Sequence, residues 1–256
     1  MTVLQSLTLG LVQGLTEFLP ISSSGHLILA SRVFGWPDQG LAFDATIHLG
    51  TALALLIYFR NDLILIFRDE WRLGAIVLIA TIPGGVAGLV LERAAEEHFR
   101  SVNLVGAAMI IGGVVMFLAD RFVYRSRTRH VRDVSWGQGL FVGCAQVLAL
   151  IPGISRSGVS IVGGLVARMN RPTAARFAFL LGLPITAAAG GLKGFKTVAH
   201  GVPADQAGVL AVGLLAALAS GLVAIAFLIR YLQRHDLTPF VLYRLALGLA
   251  ILWLAR

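Results

Sequence analysis

The runs Gln13-Gly-Leu-Thr-Glu17-Phe-Leu-Pro20-Ile-Ser22-Ser-Ser24-Gly25-His26 and Gln146-Val-Leu-Ala-Leu-Ile-Pro152-Gly153-Ile-Ser155-Arg156-Ser157-Gly158 decide how this chain is read. Each sets a proline and a hydroxyl-rich, glycine-containing break inside a strongly apolar context. In hydrocarbon such a break bares backbone N–H groups that must find partners. It survives only where it is buried in protein or lines a cavity. Two matching breaks predict one polar site assembled from both halves of the chain.

The surrounding composition is that of a membrane protein. The chain is 57% hydrophobic and 13% charged, with a mean hydropathy of +0.83. A soluble domain carries about 25% charged residues. Six runs reach the length of about 17–25 mostly apolar residues that a spanning helix needs. They are Phe43–Phe59, Gly74–Leu91, Val102–Ala119, Ala174–Leu192, Ala207–Ile229 and Pro239–Ala255. The breaks do not span. After Gly25 the apolar limb Leu27–Val33 is about 10 Å long at 1.5 Å per residue, about a third of a hydrocarbon core. Each break is read as a re-entrant hairpin. The expected fold is an all-α polytopic membrane protein with six transmembrane helices plus two re-entrant helical hairpins. Met1–Val12 lacks a basic n-region, so no cleavable signal is expected. Cys144 is the single cysteine. It excludes an internal disulfide and is expected as a small packing residue.

The net charge of +8 is arginine-rich and unevenly placed. Its densest run, Arg121, Arg125, Arg127, Arg129 and Arg132, lies between apolar blocks and reads as a cytoplasmic loop. Nucleic-acid binding is the poorer reading, because neither a soluble module nor an aromatic platform accompanies these arginines. With that loop inside, Arg60–Arg72 and Arg230–Leu237 are also cytoplasmic. Glu92–Ser101 and Lys193–Gln206 then face outward. The first hairpin would enter from outside and the second from the cytoplasm.

The halves also match in spacing. Pro20 and Gly50 are thirty positions apart, as are Pro152 and Gly182, and the offset between the pairs is 132. Each half reads as one re-entrant pair plus three spans. An odd number of spans forces opposite orientations, which makes an inverted-topology repeat with its site near the midplane. Within a single membrane domain of residues 1–256, the repeats are placed at 1–120 and 136–256, joined by the basic loop 120–135.

Gln13 and Glu17 are four apart and share one helix face. An ionisable residue in an apolar segment is expensive and is a functional candidate by default. Glu17 either serves chemistry or neutralises Arg156 to hold the halves together. Ser22, Ser23 and Ser24 precede Gly25 and a short helix. Ser155 and Ser157 bracket Arg156 ahead of a helix expected at Val159–Met169. Hydroxyls and free N–H groups at helix N-termini favour anions, and the Arg156 fork matches phosphate oxygens. Serine capping alone accounts for the serines, but not for an arginine and a carboxylate at membrane depth. His26 is a candidate acid or base, nucleophile or metal ligand. Asp44 and His48, four apart, either line the cavity or pair with each other or with Arg176. His98, His130, His200 and His235 fall in expected loops and read as surface residues.

These motifs resemble the undecaprenyl-diphosphate phosphatase family, the membrane phosphatases linked to bacitracin resistance. Gln13 and Glu17 match the first family signature, a Glu or Gln followed four positions later by Glu, and Ser24-Gly25-His26 matches its Ser-Gly-His. Pro152 through Gly158, with Ser160, matches the second, Pro-Gly-x-Ser-Arg-Ser followed by Gly and a hydroxyl residue. The likeness covers essentially the full length and includes the Pro239–Tyr243–Arg244 stretch. Gln13 stands where many members have Glu, and Ser160 where many have Thr. The resemblance implies a hydrolase of an acid anhydride. It would remove the terminal phosphate of a polyprenyl diphosphate and so recycle the lipid carrier of peptidoglycan and cell-wall synthesis. It implies the bacterial inner membrane, an active site facing the periplasm, and a homodimer as the assembly.

The expected catalytic set is Glu17, Ser23, His26 and Arg156. Ser23 attacks phosphorus, Glu17 or His26 takes its proton, and Arg156 holds the equatorial oxygens. Attack by His26 or by water is the alternative. Gln13, Ser22, Ser24, Gly25, Gly153, Ser155, Ser157 and Ser160 are the expected substrate-binding residues. A divalent cation, Mg²⁺ or Ca²⁺, bridging Glu17 and the diphosphate is the expected inorganic cofactor, and no organic cofactor is expected. The rival from another class is a flippase that carries polyprenyl phosphate across the bilayer without cleaving it. A carrier has no need of a hydroxyl, a carboxylate and an imidazole in one short run.

Overall fold

The computed structural model describes residues 1–36, 40–98, 101–123, 128–199 and 204–255. Among these the chain is helical, with no strand beyond a single bridge between Thr128 and Met169. In chain order the helices are α1 (Val3–Phe18), α2 (Ser23–Val33), α3 (Gly40–Tyr58), α4 (Arg60–Arg68), α5 (Trp71–His98) and α6 (Val102–Leu118). They continue as α7 (Trp136–Gln146), α8 (Arg156–Val166), α9 (Arg171–Ala199), α10 (Ala204–Tyr231) and α11 (Thr238–Leu254). Each of the six apolar runs falls on a helix. The first break separates α1, of 16 residues, from α2, of 11, and the second separates α7 from α8, of 11 residues each.

Among the described residues three segments are long and apolar enough to cross a membrane alone: Trp71–Leu91, Val102–Phe122 and Gln206–Tyr231. A fourth qualifies only as a pair, because Ala42–Tyr58 and Arg60–Arg68 meet at a 61° bend. α11 is apolar but has 17 residues. The outer surface carries the signature of lipid contact. Leu78, Leu89 and Val90 on α5, Ile111 on α6, Val223 on α10, and Leu249 and Trp253 on α11 are all more than half exposed. Cys144 is exposed as well and is not the packing residue expected. Of the loops and side chains used for orientation, Arg125, Arg127, Arg100 and His200 lie outside the described residues. So do the side chains of Glu92, Arg93, His98, Lys193 and Lys196.

Small residues set the helix crossings. α1 packs on α10, and α7 packs on α5. Gly10 and Gly14 on α1 and Gly139 and Gly143 on α7 are both spaced by four, the pattern that lets membrane helices approach closely. A Cβ on Gly143 would lie 2.1 Å from the Ala80 carbonyl oxygen, and one on Gly14 would lie 2.3 Å from that of Ala217. Gly14→Ala must therefore force α1 and α10 apart. Overpacking of this kind costs about 1–3 kcal/mol, so the variant is expected to melt several degrees below wild type in detergent. An unchanged Tm would contradict so tight a crossing.

Further packings also join the two halves. α3 packs on α9 and α6 on α11, while α3 also meets α10 and α5 meets α9. The breaks share one local geometry. Ser22 (φ 69°) and Ser155 (φ 73°) both occupy the left-handed region, which is uncommon for a residue with a Cβ. The hydroxyls of Ser22 and Ser24 are 3.1 Å apart, as are those of Ser155 and Ser157. α8 begins at Arg156, three residues before the helix start expected at Val159. The common offset also differs from the 132 read between the prolines. Ser22 and Ser155 are 133 apart, since Gly153 adds a residue after Pro152. Gly14 and Gly143 are 129 apart, since the 3-10 turn Val147–Leu150 lengthens the second break. Gly50 and Gly182 do not pack alike. A Cβ on Gly50 would lie 2.5 Å from the Leu214 carbonyl oxygen, whereas one on Gly182 would meet nothing within 4 Å.

Candidate active site

Glu17 is placed by the last turn of α1, one turn beyond the Gly10/Gly14 crossing. Arg156 opens α8 in the other half. The two meet directly, with Arg156 Nη2 donating to Glu17 Oε1. The second carboxylate oxygen is also engaged. Glu17 Oε2 accepts from Ser23 Oγ at 2.7 Å and from Gln13 Nε2 at 3.0 Å. Arg156 is steadied from its other side, where Nη1 donates to Thr186 Oγ1 at 2.6 Å. Thr186 in turn donates to the Gly182 carbonyl at 2.6 Å.

This cluster borders a cavity of about 380 Å³. Its walls include Glu17, Ser22, Ser23 and Ser24 from the first break, and Gly153, Ser155 and Arg156 from the second. Asp44 and His48 line it from α3, Thr186 from α9, and Gln146 from the end of α7. The left-handed turns at Ser22 and Ser155 aim the first turns of α2 and α8 at this space. Serine hydroxyls, amide N–H groups and a guanidinium thereby converge where an anion would be held.

The breaks are laced together. Gly153 N donates to Ser24 Oγ at 3.3 Å, and Ser157 Oγ donates to the Leu19 carbonyl at 3.1 Å. Gly153 itself has φ 100°, and a Cβ there would lie 2.5 Å from the Val105 carbonyl oxygen. Behind both breaks lies Arg244 of α11, fully buried. It donates to the carbonyls of Pro20 at 3.3 Å, Gly153 at 2.9 Å and Ile154 at 2.9 Å. It also reaches Met109 and Ala108 on α6, at 3.2 and 3.4 Å. One planar guanidinium thus serves carbonyls from both halves.

Several expected site residues stand elsewhere. His26 does not border the cavity. Its Nδ1 donates to the Ser22 carbonyl at 2.7 Å, and Nε2 accepts from the Tyr243 hydroxyl at 2.7 Å. Its ring also stacks on Tyr243, with centroids 5.5 Å apart. Gly25 faces α6, where a Cβ would lie 2.7 Å from Met109 Sδ. Ser157 and Ser160 are buried behind the cavity wall. Gln13 is fully buried and reaches the site only through Glu17. Arg176 pairs with neither Asp44 nor His48. It clasps Asp62 of α4, with N–O distances from 2.6 to 3.1 Å. Gln146, Thr186 and Arg244 are the contributors that motif reading left without a role.

Residues 6–250 match the family model of the bacitracin resistance protein BacA. The chain belongs to the BacA family. Relatives agree in length as well as sequence. A Trichlorobacter lovleyi protein named undecaprenyl-diphosphatase is 43% identical, over 98% of this chain and 97% of its own. Proteins of the same name from Thermomicrobium roseum and Myxococcus xanthus are 43% and 42% identical, over 98% and 100% of this chain and 98% and 90% of theirs. Within this BacA chain the two motif breaks are the two walls of one cavity, and Arg244 is the post behind them.

Proposed function

We propose that this chain is an undecaprenyl-diphosphatase, removing the terminal phosphate of the lipid diphosphate at the cavity between the two breaks. The single observation that carries the reading is Ser23 Oγ on Glu17 Oε2 at 2.7 Å, with Arg156 on the same carboxylate. A hydroxyl bonded to a base, beside a guanidinium, is the arrangement that activates a nucleophile for phosphoryl transfer. The name shared by full-length relatives supports the substrate.

The arriving diphosphate competes with Glu17 for Arg156. As the guanidinium turns to the phosphate oxygens, the carboxylate released from it takes the Ser23 proton. Ser23 Oγ then bonds to the terminal phosphorus, the bond from phosphorus to the bridging oxygen breaks, and the lipid leaves as a monophosphate with that electron pair. Ser22, Ser24 and Ser155 hydroxyls and the first-turn amides receive the equatorial charge. Water then cleaves the phosphoserine. Glu17 is the better base than His26, whose two ring nitrogens are held by Ser22 and Tyr243.

The residues present do not form a protein-built cage for a divalent cation. Both Glu17 oxygens are occupied by protein donors, and no group of three His, Cys, Asp or Glu among the described residues gathers for a metal. No step here is routed through one.

The same reading includes topology. The exchange of α1–α10 for α7–α5 and of α3–α10 for α9–α5 when the halves are swapped supports an inverted repeat. We place six spans and two re-entrant hairpins in the inner membrane, with the cavity opening to the periplasm. Hydrolysis by purified protein in detergent tests the activity. Wild type should release phosphate from polyprenyl diphosphate, and Ser23→Ala should lose at least about 10³-fold in kcat. Lipid flipping without phosphate release would establish the carrier instead.

A further inference from the structure

Gln146 stands out within the cavity wall. It is 3% exposed, and among the described residues neither its Nε2 nor its Oε1 finds a hydrogen-bond partner. A buried amide left unsatisfied at both ends is costly, about 1–3 kcal/mol per group. Its neighbours do not relieve it. The flanking helix α5 offers Gly84, and a Cβ there would lie 3.2 Å from Gln146 Nε2. The side chain also occupies a matched place in the repeat. Glu17 lies three residues after Gly14 at the α1 crossing, and Gln146 lies three residues after Gly143 at the α7 crossing. Both border the same cavity. The first half thus presents a base there, and the second half presents a neutral amide.

An amide in a phosphate site has two faces of different use. Its N–H donates to a phosphate oxygen. Its carbonyl would repel that oxygen, and is satisfied by a water whose proton it accepts. Resting on the Ser23 reading, we infer that Gln146 orients the water that hydrolyses the phosphoserine, holding the phosphoryl through Nε2 and the water through Oε1. Water oxygen bonds to phosphorus and the bond from phosphorus to Ser23 Oγ breaks. Protonated Glu17 returns its proton to Ser23 and receives the proton lost by water, which it then passes to solvent. Inorganic phosphate departs. A glutamine that positions an attacking water has precedent in phosphoryl transfer generally.

The test is rapid-quench kinetics on full-length protein in detergent, with polyprenyl diphosphate labelled in its terminal phosphate. Gln146→Leu should still release one equivalent of lipid monophosphate in a burst that is fast beside its steady-state turnover. It should then turn over about 10²-fold more slowly, the scale expected when a reacting group is misplaced, with label trapped on Ser23. Gln146→Glu keeps an acceptor but loses the donor and should also accumulate label. Because the leucine removes no hydrogen bond to the described residues, its Tm should stay near that of wild type. Wild-type turnover, a first step slowed in proportion to kcat, or a lowered Tm would each overturn the inference. Ser23→Ala separates the two failures. If it still hydrolyses substrate, the nucleophile assignment fails. If it is inactive while Gln146→Leu carries no label, only the role of Gln146 fails.

Discussion

Arg156→Ala is expected to lower kcat/KM for polyprenyl diphosphate by about 10³-fold or more, the scale on which a guanidinium stabilises a phosphoryl-transfer transition state. The cause is specific to this geometry. Among the described residues Arg156 is the one charged donor the second half brings to the cavity, and Thr186 holds it there. The variant also leaves Glu17, 8% exposed in its side chain, without its counter-charge. Breaking a buried pair by removing one partner is strongly destabilising, so the single variant should melt well below wild type. The double variant Arg156→Ala/Glu17→Gln removes the orphaned charge. It should regain most of the lost Tm and remain inactive. Glu17→Gln alone should lose about 10²–10⁴-fold in kcat, the worth of a general base. If the double variant recovered activity along with stability, the pair would be a structural clasp and the catalytic assignment would be wrong.

How far the chain could be read before its coordinates follows from what each residue's neighbours in sequence disclose. The breaks were legible because proline, glycine and serine inside apolar runs have few other uses at membrane depth. The Glu17–Arg156 meeting was legible because two isolated charges in hydrocarbon need each other. The start of α8 lies three residues before the expected Val159, since Arg156-Ser157-Gly158 is a poor helix start by propensity. Here Ser155 Oγ accepts from Gly158 N at 3.2 Å and compensates. For His26 the sequence discloses less. Its place inside the motif disclosed proximity but not direction, and the side chain points to Tyr243, 217 positions away. For Asp44 and His48 the sequence allows a place on the cavity, a pairing with each other or one with Arg176, and the packing of α3 on α9 and α10 turns them to the cavity. Gln146 carried no local signal, because a glutamine at the end of an apolar helix is unremarkable until both ends of its amide are found unpaired.

Arg244→Met is expected to cost the most in folded-state integrity, and activity with it. A buried arginine in a membrane helix would ordinarily seek a carboxylate. Here the hydrogen bonds of Arg244 go to backbone carbonyls, three of them in the breaks outside the helices: Pro20, Gly153 and Ile154. Methionine fills comparable volume and removes every one of these donors. Each carbonyl left unsatisfied costs on the order of 1–3 kcal/mol, and these are the carbonyls that fix where Ser22 and Ser155 turn. Arg244→Lys supplies a charge but not the planar fork, and a point-like ammonium cannot reach both breaks at once. The expected order of Tm in detergent is wild type, then Lys, then Met, with kcat falling in the same order and by about 10²-fold or more in the methionine variant. Loss of activity without loss of Tm in Arg244→Met would mean that the guanidinium acts on substrate and not through the two breaks it joins. Gly112 offers an independent check, because a Cβ there would lie 2.2 Å from Arg244 Nη2. Gly112→Ala displaces the guanidinium without deleting it, and should reproduce part of the methionine defect. The atoms nearest a Cβ at residue 112 are Arg244 Nη2 and Cζ and the Ile154 carbonyl oxygen, so a shared defect in both variants traces to the carbonyl clasp.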